Sequence, residues 1–113
     1  MCIDKKQNLF FVNKNVAFGT INRFHLPTSK TFTISCPYLK DPTGITIDSK
    51  GNVFVACAKT NAIYLLPDGS SFLQKCEDLS FKIVNPKGLV YDSNRGEIVV
   101  LSEGEMITTY QRQ

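Results

Sequence analysis

Three aspartates recur at a constant interval along this chain of 113 residues. Asp4, Asp48 and Asp92 are separated by 44 residues in both steps. Each aspartate ends a short apolar run and is followed by a polar turn and a second apolar run. A period of roughly 40 to 50 residues built from short strands predicts a β-propeller, in which every repeat forms one blade. Because a single blade cannot bury both of its faces, the chain must be interpreted as consecutive blades of a ring.

The middle repeat has the clearest strand pattern. Apolar runs over residues 42–48, 53–58 and 62–66 predict three strands, and residues 71–76 predict a fourth. The connections between them are rich in glycine, asparagine, aspartate and proline, which favour tight turns. Four short antiparallel strands joined in this way form one complete blade.

The two flanking repeats follow the same scheme but each lacks a part. The fold prediction is therefore an all-β, partial β-propeller of about three four-stranded antiparallel blades. The blade over residues 1–36 lacks most of its first strand, the blade over 42–76 is complete, and the blade over 86–113 lacks its last strand.

Composition and the length of the apolar runs limit the cellular compartment and the kinds of binding partner that we expect for this chain. The apolar runs are too short to span a membrane, and no hydrophobic leader is present, so we expect a cytoplasmic protein with no membrane association. The net charge of +3 is mild and does not by itself require nucleic acid. Cys36 and Cys76 end the predicted fourth strands of two blades. We interpret them as small buried positions, with a disulfide or a shared metal as the alternatives.

The repeat has a recognisable residue pattern. Pro42, Gly44, an aliphatic run, Asp48 and the pair Gly51-Asn52 before a second apolar run resemble the NHL repeat. Residues 86–101 repeat this pattern more loosely, and residues 3–12 match its second half. The chain looks most like the C-terminal propeller of tripartite-motif proteins. That resemblance implies a six-bladed ring that recognises protein or RNA, with any ubiquitin-ligase activity in upstream domains that are absent here.

An open part of a ring exposes the faces of its terminal blades. We expect the remaining blades of a longer protein, or a second copy of the chain, to close the ring, and the sequence favours the longer protein. The apolar residues predicted to fill the faces between blades are Ile3, Leu9, Phe11, Ile21, Phe24, Ile45, Ile47, Val53, Val55, Ile63, Leu65, Leu89, Ile98, Val100 and Ile107.

One end of the blades is predicted to be the binding face. It is formed by the loops that join the second and third strands and by the links between blades. The candidate residues there are Lys14, Asn15, Phe18, Tyr38, Lys40, Lys59, Asn61, Lys82 and Lys87. Lysines neutralise phosphates and aromatic rings stack on unpaired bases, which favours single-stranded RNA. Acidic residues in the same loops weaken that interpretation, and they are Asp41, Glu77, Asp78, Glu103 and Glu105.

The predicted function is a non-catalytic binding scaffold for a protein partner. Single-stranded RNA is the alternative ligand, and a hydrolase or lyase is the least favoured class. No cofactor, metal ligand or catalytic residue is predicted, because the first strands carry no convergent set of polar side chains. The repeated aspartates are interpreted as caps of the turns that follow them, and His25 as a structural residue.

Overall fold

The structure is a computed structural model that describes residues 2–14, 19–35, 39, 41–70, 72–76, 85–102 and 107–110. For residues 14, 35 and 107–110 it describes the backbone alone. The described residues form eleven β-strands in three antiparallel sheets. Within these ranges, no helix is long and apolar enough to cross a membrane.

Each sheet corresponds to one sequence repeat. Blade 1 contains β1 (Cys2–Ile3), β2 (Asn8–Lys14), β3 (Gly19–His25) and β4 (Lys30–Ser35). Blade 2 contains β5 (Pro42–Ile47), β6 (Val53–Cys57), β7 (Ala62–Leu66) and β8 (Gln74–Lys75). Blade 3 contains β9 (Gly88–Asp92), β10 (Glu97–Leu101) and β11 (Ile107–Tyr110). Strands that follow one another in the chain pair with one another, so the all-β, partial-propeller fold is confirmed.

The last strand of blade 2 is shorter than the sequence predicts. The prediction covered residues 71–76, whereas β8 contains only Gln74 and Lys75. The Ser70 hydroxyl oxygen accepts a hydrogen bond from the backbone N–H of Phe72 at 3.0 Å. Such a local side-chain contact competes with sheet pairing, and it delays the start of the strand.

The core lies between the blades. Along β6, Val53, Val55 and Cys57 face blade 1, and Phe54 and Ala56 face blade 3. All five are buried, since successive side chains of a strand point to opposite faces and both faces of this sheet are covered. The predicted interface is confirmed for residues that belong to these two clusters, namely Ile21, Ile45, Val53, Val55, Ile63, Leu65, Leu89, Ile98 and Val100.

The outer face of blade 1 is exposed, as expected for a terminal blade of an open ring. Ile3 is 50% exposed, and Leu9, Phe11 and Phe24 are only half-buried. These four residues belong to neither buried cluster, because no described sheet packs on this face. Blade 3 shows the same pattern on its far side, where Val90 is 63% exposed and Leu101 is 41% exposed. The side chain of Ile107 lies outside the described residues.

Candidate functional site

The described parts of the links between blades and the β6–β7 turn lie at one end of the strands, which we call the linker end. The backbone N–H of Asn85 donates a hydrogen bond to Asn61 Oδ1 at 2.7 Å, across the seam between blades 2 and 3. The Thr43 hydroxyl donates to the Pro86 carbonyl oxygen at 2.6 Å. These two hydrogen bonds hold adjacent blades in a fixed relation at this end.

Three residues at the linker end have backbone conformations that favour asparagine and aspartate. Asn61, Asn85 and Asp41 have φ values of 49°, 46° and 55°, in the left-handed region. Short polar side chains tolerate this region better than other residues except glycine. Asp41 and Asn85 each precede a proline and are 44 residues apart, so the repeat extends to the links between blades.

The structure describes part of the predicted binding face. Lys59, Asn61 and Lys87 are exposed at the linker end. Neither lysine forms an ion pair within the described part of the chain. For Lys14 only the backbone is described, and Asn15, Phe18, Tyr38, Lys40 and Lys82 lie outside the described residues. Asn61 also connects blades 2 and 3, because its amide oxygen accepts the hydrogen bond from the Asn85 N–H.

The opposite end of the strands, which we call the hairpin end, carries the repeated aspartates. Asp48 Oδ1 accepts hydrogen bonds from the backbone N–H groups of Lys50 and Asn52, both at 2.9 Å. Its second oxygen accepts a hydrogen bond from Asn52 Nδ2 at 3.1 Å. Gly51 completes the turn with a φ of 88°, where a side chain would be strained.

The first repeat reproduces this turn almost bond for bond. Asp4 Oδ1 accepts from the backbone N–H groups of Lys6 and Asn8, at 2.9 and 2.8 Å, and Oδ2 accepts from Asn8 Nδ2 at 2.9 Å. In blade 3, Asp92 Oδ1 accepts from the backbone N–H of Asn94 at 3.0 Å. The interpretation of these aspartates as turn caps is confirmed. Over the residues that the structure describes, no group of His, Cys, Asp and Glu is arranged to hold a metal ion.

A cavity of about 450 Å³ opens at the hairpin end. It is lined by repeat-equivalent residues from all three blades, at steps of 44 along the chain: Ile3, Ile47 and Tyr91, then Lys5, Ser49 and Ser93, then Lys6 and Lys50. Asp4, Asp48, Gly51 and Asp68 complete the lining. The sequence pattern predicted a candidate site at the linker end and did not predict this cavity. The period itself was the available signal, since equivalent positions of adjacent blades meet around a common axis.

The remaining reactive side chains have structural surroundings. The His25 ring nitrogen Nδ1 lies 2.8 Å from the Thr28 hydroxyl oxygen in the β3–β4 turn, in keeping with a structural role. Burial raises the pKa of the Cys2 thiol to about 11, since the thiol packs against the core between blades 1 and 2. Cys76 is buried between blades 2 and 3. Cys36 lies outside the described residues.

Comparison with known proteins adds evidence on the fold. No family model matches the chain, and no curated protein matches it. Two similar solved structures are the selenomethionine-substituted virginiamycin B lyase from Staphylococcus aureus and a catalytically inactive variant of that enzyme with quinupristin. Each has a TM-score of 0.65 and 20% sequence identity, and the match covers 97% of this chain and 39% of the other. The chain thus spans about two fifths of the length of those structures.

This similarity corrects the prediction about enzymatic activity and supports the predicted β-propeller fold. The prediction that the chain is not an enzyme is wrong, because two solved structures that share its fold are those of an enzyme. The absence of a family match leaves the NHL and tripartite-motif assignment as an interpretation of the repeat pattern. What the three sheets and the matched structures have in common is the β-propeller fold.

Proposed function

We propose that this chain is a recognition module, formed by three adjacent blades of an NHL-type propeller like that of tripartite-motif proteins. It binds an acidic surface of a protein partner at the linker end. The observation that supports this proposal is the pair of exposed lysines, Lys59 and Lys87, on either side of the hydrogen-bonded seam between blades 2 and 3.

The geometry favours binding at this end for two reasons. The hydrogen bonds across the seam limit the motion of the two turns, so little conformational entropy is lost when a partner binds. The two ammonium groups have no carboxylate partner within the described ranges, and a partner's carboxylates would provide one. Complementary charge of this kind speeds association and selects among partners.

A binding titration tests the proposal. The intact chain is titrated with a labelled polyglutamate peptide and with single-stranded RNA of equal charge, and anisotropy is followed at low and high salt. We expect the peptide to bind, and the double variant Lys59→Gln, Lys87→Gln to weaken its binding at least about threefold. The matched control Lys30→Gln, Lys75→Gln removes two exposed lysines from β4 and β8 and should leave binding unchanged.

Each other outcome overturns part of the proposal. Salt-sensitive binding of the RNA in preference to the peptide would replace the protein partner by nucleic acid. Equal losses in both double variants would mean that binding depends on net charge and not on the linker end. An adjoining coding sequence without a RING finger, B-boxes and a coiled coil would contradict the tripartite-motif assignment.

The second candidate function is a propeller enzyme that acts on a small organic molecule. It is favoured by the similarity to virginiamycin B lyase, of which one structure contains quinupristin. The test incubates the chain with quinupristin and follows the products by mass spectrometry. Because a lyase breaks a bond without adding water, the masses of the expected products sum to the mass of the substrate. Unchanged quinupristin after prolonged incubation would count against this candidate.

A further inference from the structure

The hairpin-end cavity has features of a ligand site, independently of the linker end. We propose that it binds a small organic anion, with an apolar body and a carboxylate, sulfonate or phosphate group. Its volume of about 450 Å³ lies within the range of small-molecule sites. All three blades contribute to it, so the site exists only when the blades are packed together.

The floor of the cavity suits an apolar body. Ile3, Ile47 and Tyr91 occupy the same position in the three repeats and line the cavity together. Ile47 and Tyr91 are half-buried, so part of their apolar surface is available to a ligand. Covering such surface is favourable, because it removes apolar groups from water.

The carboxylates that line the cavity already form hydrogen bonds or an ion pair within the protein. Asp4 and Asp48 each accept three hydrogen bonds from their own turns. Asp68 lies 3.9 Å from the ammonium group of Lys6. A cationic ligand would therefore have to compete with these hydrogen bonds and with an ammonium group of the protein, which disfavours an amine.

Two lysines at the rim of the cavity are available to bind an anion. Lys5 and Lys50 are exposed and form no ion pair within the described part of the chain. The Tyr91 hydroxyl donates to Ser49 Oγ at 3.2 Å, which leaves the Ser49 proton free to be donated to an acceptor. Two ammonium groups and one hydroxyl donor beside an apolar floor are the groups that an organic anion requires.

The experiment uses anilinonaphthalene sulfonate as the probe, since it combines a sulfonate with two aromatic units. Binding to the intact chain is measured by fluorescence and mapped by backbone amide chemical shifts. We expect shifts at Lys5, Lys50 and Tyr91, and about tenfold weaker binding in the double variant Lys5→Gln, Lys50→Gln. The matched variant Lys30→Gln, Lys75→Gln, which removes two exposed lysines that do not line the cavity, should bind within about twofold of the unchanged chain.

A neutral analogue, N-phenylnaphthylamine, separates this site from the exposed apolar faces of blades 1 and 3. We expect its affinity to be the same in all three proteins. If the sulfonate probe shifts only residues such as Val90 and Leu101, or if both double variants lose affinity equally, the cavity is not an anion site. Because the polyglutamate titration concerns the linker end, its failure would leave this result intact, and the reverse also holds.

Discussion

The two faces of blade 3 show how burial depends on neighbours more than on the residues themselves. Toward blade 2, Ile98 is 3% exposed and Val100 is fully buried. On the other face of the same sheet, Val90 is 63% exposed and Leu101 is 41% exposed. All four side chains are aliphatic and lie on adjacent strands. The difference is that blade 2 covers one face, whereas no described sheet covers the other.

Blade 1 repeats this contrast through equivalent positions. Leu9 and Phe11 stand where Val53 and Val55 stand in blade 2, one repeat later. The two valines are 1% and 0% exposed, whereas Leu9 and Phe11 are half-buried. The stability of the chain should therefore be concentrated at the two seams that flank blade 2.

The largest expected effect is the loss of a seam aromatic. Phe54 is fully buried between blades 2 and 3, and Phe54→Ala should lower the free energy of unfolding by about 3–5 kcal/mol. Phe72→Ala, at a phenylalanine that is 78% exposed, should cost less than about 0.5 kcal/mol. Urea unfolding followed by circular dichroism measures both. Similar costs for the two variants would break the contrast between seam and surface.

Two glycines give a sharper test of the same contrast. Gly44 and Gly88 are repeat-equivalent, but a Cβ added at Gly44 would lie 3.0 Å from the Leu89 backbone nitrogen. A Cβ at Gly88 would meet nothing within 4 Å among the described residues. We expect Gly44→Ala to cost about 1–3 kcal/mol by forcing the blades apart, and Gly88→Ala to be neutral or slightly stabilising. A costly Gly88→Ala in urea unfolding would mean that this side of blade 3 is covered.

The hairpin turns of blades 2 and 3 differ in the hydrogen bonds that their aspartates accept. Asp48→Ala removes three hydrogen bonds from the turn of blade 2 and should cost about 1–2 kcal/mol. Asp92→Ala removes the hydrogen bond to the Asn94 N–H in the turn of blade 3 and should cost about 0.5 kcal/mol. Thermal unfolding of both variants at one pH measures the difference. A larger loss for Asp92→Ala would contradict the ranking of the two turns.

The smallest effect concerns the Cys2 thiol at the seam between blades 1 and 2. Burial raises its pKa to about 11, above the ordinary value of 9.0, so folding favours the neutral thiol. This contribution to stability is present below pH 9 and is lost as the pH rises through 11. At pH 8.5, iodoacetamide should label Cys2 at least about tenfold more slowly in the folded chain than in urea. Equal labelling rates, resolved by peptide mass spectrometry, would show that the thiol is not protected.

Features that depend on near neighbours in the chain could be predicted from the sequence. Asp48 and Asn52 are four residues apart, and their hydrogen bonds need only the local turn, so the capping role was predictable. The unbroken apolar run over Val53, Phe54 and Val55 likewise predicted a strand. The extent of β8 was not predictable, because the Ser70 contact with Phe72 and the sheet compete for the same backbone N–H.

The candidate sites show the limit of that reasoning. The linker-end lysines were found from loop position alone, and the structure describes Lys59 and Lys87 as exposed there. The hairpin-end cavity was missed because it joins positions 44 residues apart, such as Ile3 and Ile47. Nothing in either hairpin alone indicates that the other will lie beside it.

The sequence by itself determined the strand order within each blade and the chemistry of the turns, because each depends on residues only a few positions apart. It also determined the repeat, because the same local pattern recurs every 44 residues. Only the tertiary structure decided which sheet faces are covered and where the hairpins meet. Those outcomes depend on the angle and distance at which one blade packs on the next. The same apolar pattern is consistent with a buried seam at Val100 and with an exposed surface at Leu101.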